Sequence, residues 1–269
     1  MKLQNIFSDR NKILLRELIV TDFKLRYQGS VLGYAWSVLK PLFLFAILYI
    51  VFEKFLGLGA GIQHFPVYLL LGIVMWTFFT EATIQGLQSI VSRGDLIRKI
   101  SFPKYIIVIS STVSALINLA INLCVVFVFC LFNGVELRLE AFWLIPLVLE
   151  LYVFALAIAF LLSAVNAKYR DIGYLWDIFL QGAFYATPII YPLQMVLEKA
   201  PEAAKWLMLN PVAQILQDAR QALTTPDALT FATFWSGWVT LVPFAIIAVV
   251  GIAGAWYFKK SQKTFAEDI

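Results

Sequence analysis

A chain of 269 residues that is 61% hydrophobic and only 14% charged, with mean hydropathy +0.81, is not a water-soluble globular domain, where roughly a quarter of residues carry charge. Its net charge of +4 is spread between apolar runs rather than gathered on a polar face, which argues against a nucleic-acid partner. A single histidine, His64, and two cysteines on different faces of one run, Cys124 and Cys130, argue against a metal site and predict free, buried thiols.

The 33 residues before the first apolar run contain no signal-peptide core and no small-residue cleavage site. Leu15, Leu18, Ile19 and Phe23 recur at helical spacing, while Glu17, Thr21, Lys24 and Gln28 occupy another face. This pattern predicts an amphipathic helix whose polar side includes Arg16, Glu17, Lys24 and Arg26. Two placements fit it: along the inner leaflet among anionic headgroups, or packed on the protein's own cytoplasmic end.

A hydrocarbon core about 30 Å thick needs about 20 apolar residues in a helix. Six runs of that kind occur, at 34–55, 65–90, 103–132, 142–165, 172–193 and 234–258. An even number puts both termini on one side of the membrane. The segments on that side hold sixteen of the 21 basic residues, from Lys2 to Lys40, Arg93 to Lys104, Lys168 with Arg170, and Lys259 to Lys263. By the excess of Lys and Arg on the cytoplasmic side, both termini are expected there.

Between the second and third runs lies a polar stretch, 92–104, too charged for lipid and too short for a domain. Gly94-Asp95 is a helix-start signal and Pro103 begins the next helix. Leu96, Ile97, Ile100 and Phe102 keep one face apolar, which suits a knob that docks into another protein or a loop that dips into the interface. The segment 194–233 differs from the other connections. Its longest uncharged run, 206–217, is interrupted by Pro211 and cannot span. A re-entrant or interfacial helical hairpin hinged at Asn210-Pro211 is predicted, entered through Thr187-Pro188 and Tyr191-Pro192, in preference to a loose loop of that length.

None of the 14 glycines is followed by lysine, so the chain contains no phosphate-binding G-x-x-x-x-G-K-[ST] loop and is not expected to hydrolyse ATP. No G-x-S-x-G elbow or H-E-x-x-H pair is present either. Three acids fall well inside apolar runs, away from their ends: Glu81, Glu150 and Asp177. They would serve either as a proton or cation path, as in a secondary transporter working alone, or as interhelical structure bonded to Gln85, Gln181, Asn118 or Asn122. Aromatic residues at run ends fit interfacial anchoring, and Tyr34, Tyr49, Phe52, Phe184 and Tyr185 are also candidates for stacking on sugar rings.

The stretch Arg26-Tyr27-Gln28-Gly29-Ser30-Val31-Leu32-Gly33-Tyr34-Ala35-Trp36, followed by Leu39-Lys40-Pro41-Leu42, resembles the entry to the first span of type-2 ABC permeases for polysaccharide export. Leu96-Ile97-Arg98-Lys99-Ile100-Ser101-Phe102-Pro103, Lys168-Tyr169-Arg170-Asp171-Ile172 and Asn210-Pro211 with Arg220 are similar to later segments of that family, in the same order. The resemblance covers the whole chain. It implies an all-α integral membrane protein of the bacterial inner membrane, with six transmembrane helices (34–258), an N-terminal interfacial helix (1–33), a cytoplasmic tail (259–269) and a re-entrant hairpin (about 194–226). It further implies a homodimer joined to two ATPase subunits that bind ATP and Mg, with no cofactor in this chain. The substrate implied is an undecaprenyl-diphosphate-linked O-antigen or a related polymer such as capsule or teichoic acid, a drug-type substrate being the alternative. In such a protein the coupling helix would comprise Arg93 and Asp95 to Phe102, and the outer gate Pro188, Pro192, Asn210, Pro211 and Arg220. Arg26 and Arg170 are candidates, by charge and position, to meet the diphosphate.

Overall fold

The computed structural model describes residues 9–26, 28–59, 61–224 and 228–268. Lys2, Tyr27 and the 225–226 end of the predicted outer hairpin lie outside the described residues. All regular structure among the described residues is helical. α1 (Asp9–Arg26) precedes α2 (Trp36–Leu48), which runs directly into a π-helical stretch, Tyr49–Phe55. α3 (Phe65–Ser89) opens with Pro66 in its first turn, where a missing N–H costs nothing, and leads through α4 (Gly94–Lys99) to α5 (Tyr105–Phe132). After α6 (Leu144–Lys168) and α7 (Ile172–Ala186) come α8 (Leu193–Lys199), α9 (Pro201–Leu207) and α10 (Pro211–Leu223). α11 (Phe231–Phe234), α12 (Val242–Ser261) and α13 (Phe265–Asp268) follow.

Five stretches among the described residues are long and apolar enough to cross a membrane: Gly33–Phe55, Phe65–Ser89, Tyr105–Phe132, Leu139–Lys168 and Gly237–Ser261. They match five of the six predicted runs. The predicted run at 172–193 is different. α7 stops at Ala186 after 15 residues, about 22 Å of helix, because Thr187 precedes Pro188 and is held extended at φ −96°, ψ 139°. The last long helix starts later than the predicted 234. Trp235 and Ser236 are extended and Gly237 has φ +69°, so a 3-10 turn intervenes and α12 begins at Val242.

α3 is the central helix: 78% of its apolar window is buried inside the protein, against 17% for the first and last spans. It packs on α5 and α6, and α6 packs in turn on α12. Small residues make these contacts close, as membrane helices without a hydrophobic driving force require. A Cβ at Gly86 would lie 2.3 Å from the Ala159 Cβ, and one at Gly254 would lie 2.7 Å from the Ala157 carbonyl oxygen. Gly86→Leu is therefore expected to push α3 off α6 at a cost of about 1–3 kcal/mol, read as a lower melting temperature of the purified protein. Of the two thiols, Cys130 is buried as expected but Cys124 is exposed, since six helical residues carry it round to the outward face.

Candidate functional site

At one end of the bundle, the segment after α3 turns outward as a knob. Asp95, Arg98, Lys99, Ile100 and Ser101 are exposed, Ile100 to 48%, whereas Ile97 is 6% exposed. The predicted apolar face is thus divided. Ile97 packs inward in a cluster with Ile90, Ile107, Phe258 and Phe265, and Ile100 is left facing out. α13 supplies part of that seat. Phe265 is fully buried, and the Lys104 ammonium donates to the Gln262 carbonyl at 2.7 Å while lying 5.7 Å from the Phe265 ring centre. Burial pulls the pKa values of Lys104 and Arg93 below their ordinary ranges.

α1 is tied to the base of the knob. Asp22 accepts a hydrogen bond from Arg93 in a close ion pair, and the Arg26 Nη1 donates to Glu81 Oε2 at 3.1 Å. The same Glu81 oxygen accepts from Asn118 at 3.0 Å, so Glu81 has one of the interhelical partners expected from the sequence and an additional cation. Leu15, Leu18, Ile19 and Phe23 are half-buried, on a helix packed along α5. Asp22 and Arg26 hold α1 against the protein's own helices, and its exposed side stays open to the leaflet placement as well. Arg16, Glu17 and Lys24 are exposed, as are the apolar Ile13, Val20 and Leu25. Arg26→Met and Glu81→Gln, alone and combined, are expected to show a coupling of about 1–3 kcal/mol in a double-mutant unfolding cycle.

The three intramembrane acids do not line one path. Glu81 is bonded to α1 and α5, Asp177 lies on the exposed side of α7 with Gln181, and Glu150 faces α10 near the opposite end from the knob. The candidate stacking rings are also dispersed. Tyr34 stacks on Phe23 at 5.1 Å, Tyr49 stacks on Phe45 at 5.6 Å, and Phe52 is half-buried beside the core. Phe184 packs near Trp76, while Tyr185 is 66% exposed. Arg26 gives its guanidinium to Glu81, and Arg170 is exposed in the turn between α6 and α7.

Among the predicted outer gate residues, Arg220 meets Pro188, and Asn210 beside Pro211 meets Thr187. Asn210 caps α10 by accepting from the Val212 N–H at 3.0 Å, with Pro211 in the first turn, and its amide reaches the Thr187 hydroxyl at 3.5 Å. The arm before this hinge is two short helices, α8 and α9, rather than one, because Pro201 starts a new helix; Pro192 is extended just before α8. Arg220, on α10, is fully buried. It donates to the Pro188 carbonyl at 2.5 Å, the Ile189 carbonyl at 2.7 Å, the Tyr68 carbonyl at 3.3 Å, the Tyr68 hydroxyl at 2.9 Å and Gln217 Oε1 at 3.2 Å. Its guanidinium carbon stands 3.5 Å from the Tyr68 ring centre. Desolvation lowers its pKa to about 10, opposed by Tyr68, so it remains charged at neutral pH. Gly72 makes room, since a Cβ there would lie 2.6 Å from the Arg220 Nη2.

Beside this knot, a cavity of about 1080 Å³ opens between the start of α6, α10, the loop before α6 and the start of α12. The sequence profile described as "ABC-2 type transporter" matches residues 13–224, a range that contains the knob, the α1 network and the Arg220 knot. The chain belongs to the ABC-2 type transporter family. It is also 28% identical over 250 residues to the "O-antigen export system permease protein RfbA" of Klebsiella pneumoniae, with 91% of each chain covered. A protein of the same name from Myxococcus xanthus is 28% identical over 262 residues, with 95% of each covered. This ABC-2 protein is therefore an integral membrane protein. Two of its features escape residue-by-residue inspection: Tyr68 as the partner of Arg220, and Phe265 as the seat of the knob. The local cue available for the cavity is the i, i+4 pair Gln214 and Asp218 on α10, a signal unused among the sequence expectations.

Proposed function

We propose that the chain is the permease subunit of an ATP-driven exporter that carries an undecaprenyl-diphosphate-linked, O-antigen-like polymer across the bacterial inner membrane. In this proposal two copies form the conduit, two separate ATPase subunits grip the exposed knobs, and both termini are cytoplasmic. The names of the relatives support the substrate class, and the distribution of basic residues supports the orientation.

The observation that carries the proposal is the uncovered face of α7. Asp177 and Gln181 are exposed there beside Tyr174 and Tyr185, while other residues of the helix pack against α3 and α6. A carboxylate facing hydrocarbon costs about 2.5–3.5 kcal/mol on insertion scales. Such a face fits a wet path closed by a second copy, with the dispersed rings offering stacking surfaces and no fixed hydrogen-bond register. α7 then acts as the fifth of six spans, with 187–192 completing the passage and α8 to α10 forming the re-entrant gate. Arg170, exposed on the knob side, is the cation available to meet the diphosphate. No cofactor is assigned to this chain: the ATPase subunits hold nucleotide and Mg, and their closure shifts the dimer between states through the knobs.

Cells lacking the protein are expected to accumulate lipid-linked glycan on the inner leaflet, and the wild-type gene should clear it. Cysteines at 177 and 181 should react with a charged, membrane-impermeant thiol reagent, and one at Ile252 on α12 should not. Normal surface glycan without accumulation, or export that follows a proton gradient and ignores ATP, would refute the proposal.

A further inference from the structure

The outer cavity carries four carboxylates, Glu136, Glu140, Glu150 and Asp218, against Arg138 and the single histidine. Acidity alone does not make a site. A second, independent feature is the polar side chain at its base. Gln214 is 4% exposed, and its Nε2 donates to Asp218 Oδ2 at 2.6 Å, but its Oε1 is buried without a hydrogen-bond donor. Turning the amide over would set its oxygen against the Asp218 carboxylate, so Asp218 fixes its direction. Glu150 lines the same cavity within hydrogen-bonding reach of the Gln214 side chain, yet its Oε1 is also buried without a donor. Buried acceptors left in this state are costly, so the pair calls for a ligand that donates.

The shape of the donor follows from the walls. Among the described residues, no three His, Cys, Asp or Glu side chains are grouped to hold a metal ion, so the acids are too spread out for a bare divalent cation. An ammonium group, with three N–H donors and one charge, suits two orphaned oxygens inside a diffuse negative field. The remaining lining is mostly apolar, with Gln63, Gln221 and Thr224 as its polar members, and includes Trp143, Leu149, Val153 and Phe244, all four of them exposed on the flank of the bundle. That flank is continuous with the outer faces of α6 and α12, both long enough to cross a membrane. We propose that this cavity seats a phospholipid with a primary ammonium headgroup, its nitrogen donating to Glu150 and Gln214 and its acyl chains lying along α6 and α12. The lipid bridges α10 to α6 at the end of the bundle opposite the knob. This assignment needs only an integral membrane protein and does not depend on which polymer is exported.

The test is a lipid titration of the full-length protein, delipidated in detergent and followed by native mass spectrometry. Phosphatidylethanolamine is expected to bind about tenfold more tightly than phosphatidylcholine, which has the charge but no N–H, and more tightly than phosphatidylglycerol. Glu150→Gln should erase that preference. It supplies its own donor to Gln214 and removes one charge, so it should keep its melting temperature. Glu136→Gln with Glu140→Gln, both on the exposed loop before α6, leaves the packing untouched and should reduce the preference. Equal binding of all three lipids, or an unchanged preference in both variants, would overturn the proposal. Free ethanolamine binding as tightly as the lipid would also overturn it, by showing that the acyl chains contribute nothing.

Discussion

Arg220→Met is expected to cost about 3–5 kcal/mol of stability, enough to deplete the folded protein from membranes. The loss follows from what is left behind. The carbonyls of Pro188, Ile189 and Tyr68 and the Tyr68 hydroxyl all lose a buried donor together, and water does not reach a fully buried position to replace it. Lysine should rescue only in part. Its ammonium has three donors on a point charge, whereas the guanidinium fork reaches several elements at once and sets its carbon 3.5 Å from the Tyr68 ring centre. Tyr68→Phe removes a single acceptor and should be the mildest change, at about 1 kcal/mol. Melting temperatures of the purified variants check this order. An Arg220→Met protein as stable as wild type would show that the knot does not hold α10 to α3.

At the other end of the bundle, the triple change Arg98→Glu, Lys99→Glu and Ile100→Asp should leave insertion and melting temperature unchanged, because all three side chains are exposed. It should weaken capture of the ATPase subunit by about a hundredfold or more, since like charges placed across an interface cost several kcal/mol. Deleting 96–101 would be a poorer test, as it also removes Ile97 from the cluster that seats the knob. Co-purification with the tagged ATPase subunit measures the effect, together with surface glycan in the same cells. Tight capture and full export in the triple variant would remove the knob from the mechanism.

What could be read from the sequence depended on whether a feature was local. Five of the apolar stretches end within a few residues of the predicted runs because charge and proline punctuate them locally. The run at 172–193 outlasts its helix because hydropathy continues through Ile189, Ile190 and Leu193, while the backbone leaves the helix at Thr187 ahead of Pro188. The start of α10 at Asn210-Pro211 is legible since an N-cap and a first-turn proline stand side by side. Ile97 looked like part of an outward apolar face because its partner Phe265 is far along the chain. Arg26 looked like a free cation for the same reason: Glu81 and Asn118 come from helices that only the fold brings to α1. Arg220 enters the sequence reading only through the family resemblance, and nothing near it in sequence names Tyr68 as its counterpart.

The seat beneath the knob draws residues from the end of α3, from α5 and α6, and from α12 and α13. A ribosome delivers these in order, so Ile97 emerges long before Phe258 and Phe265 arrive to close over it. Until then the knob's base is incomplete. A partner that needs it firmly held would therefore find no grip on a half-threaded polypeptide, and recruitment of the motor would wait for the last long helix to enter the bilayer.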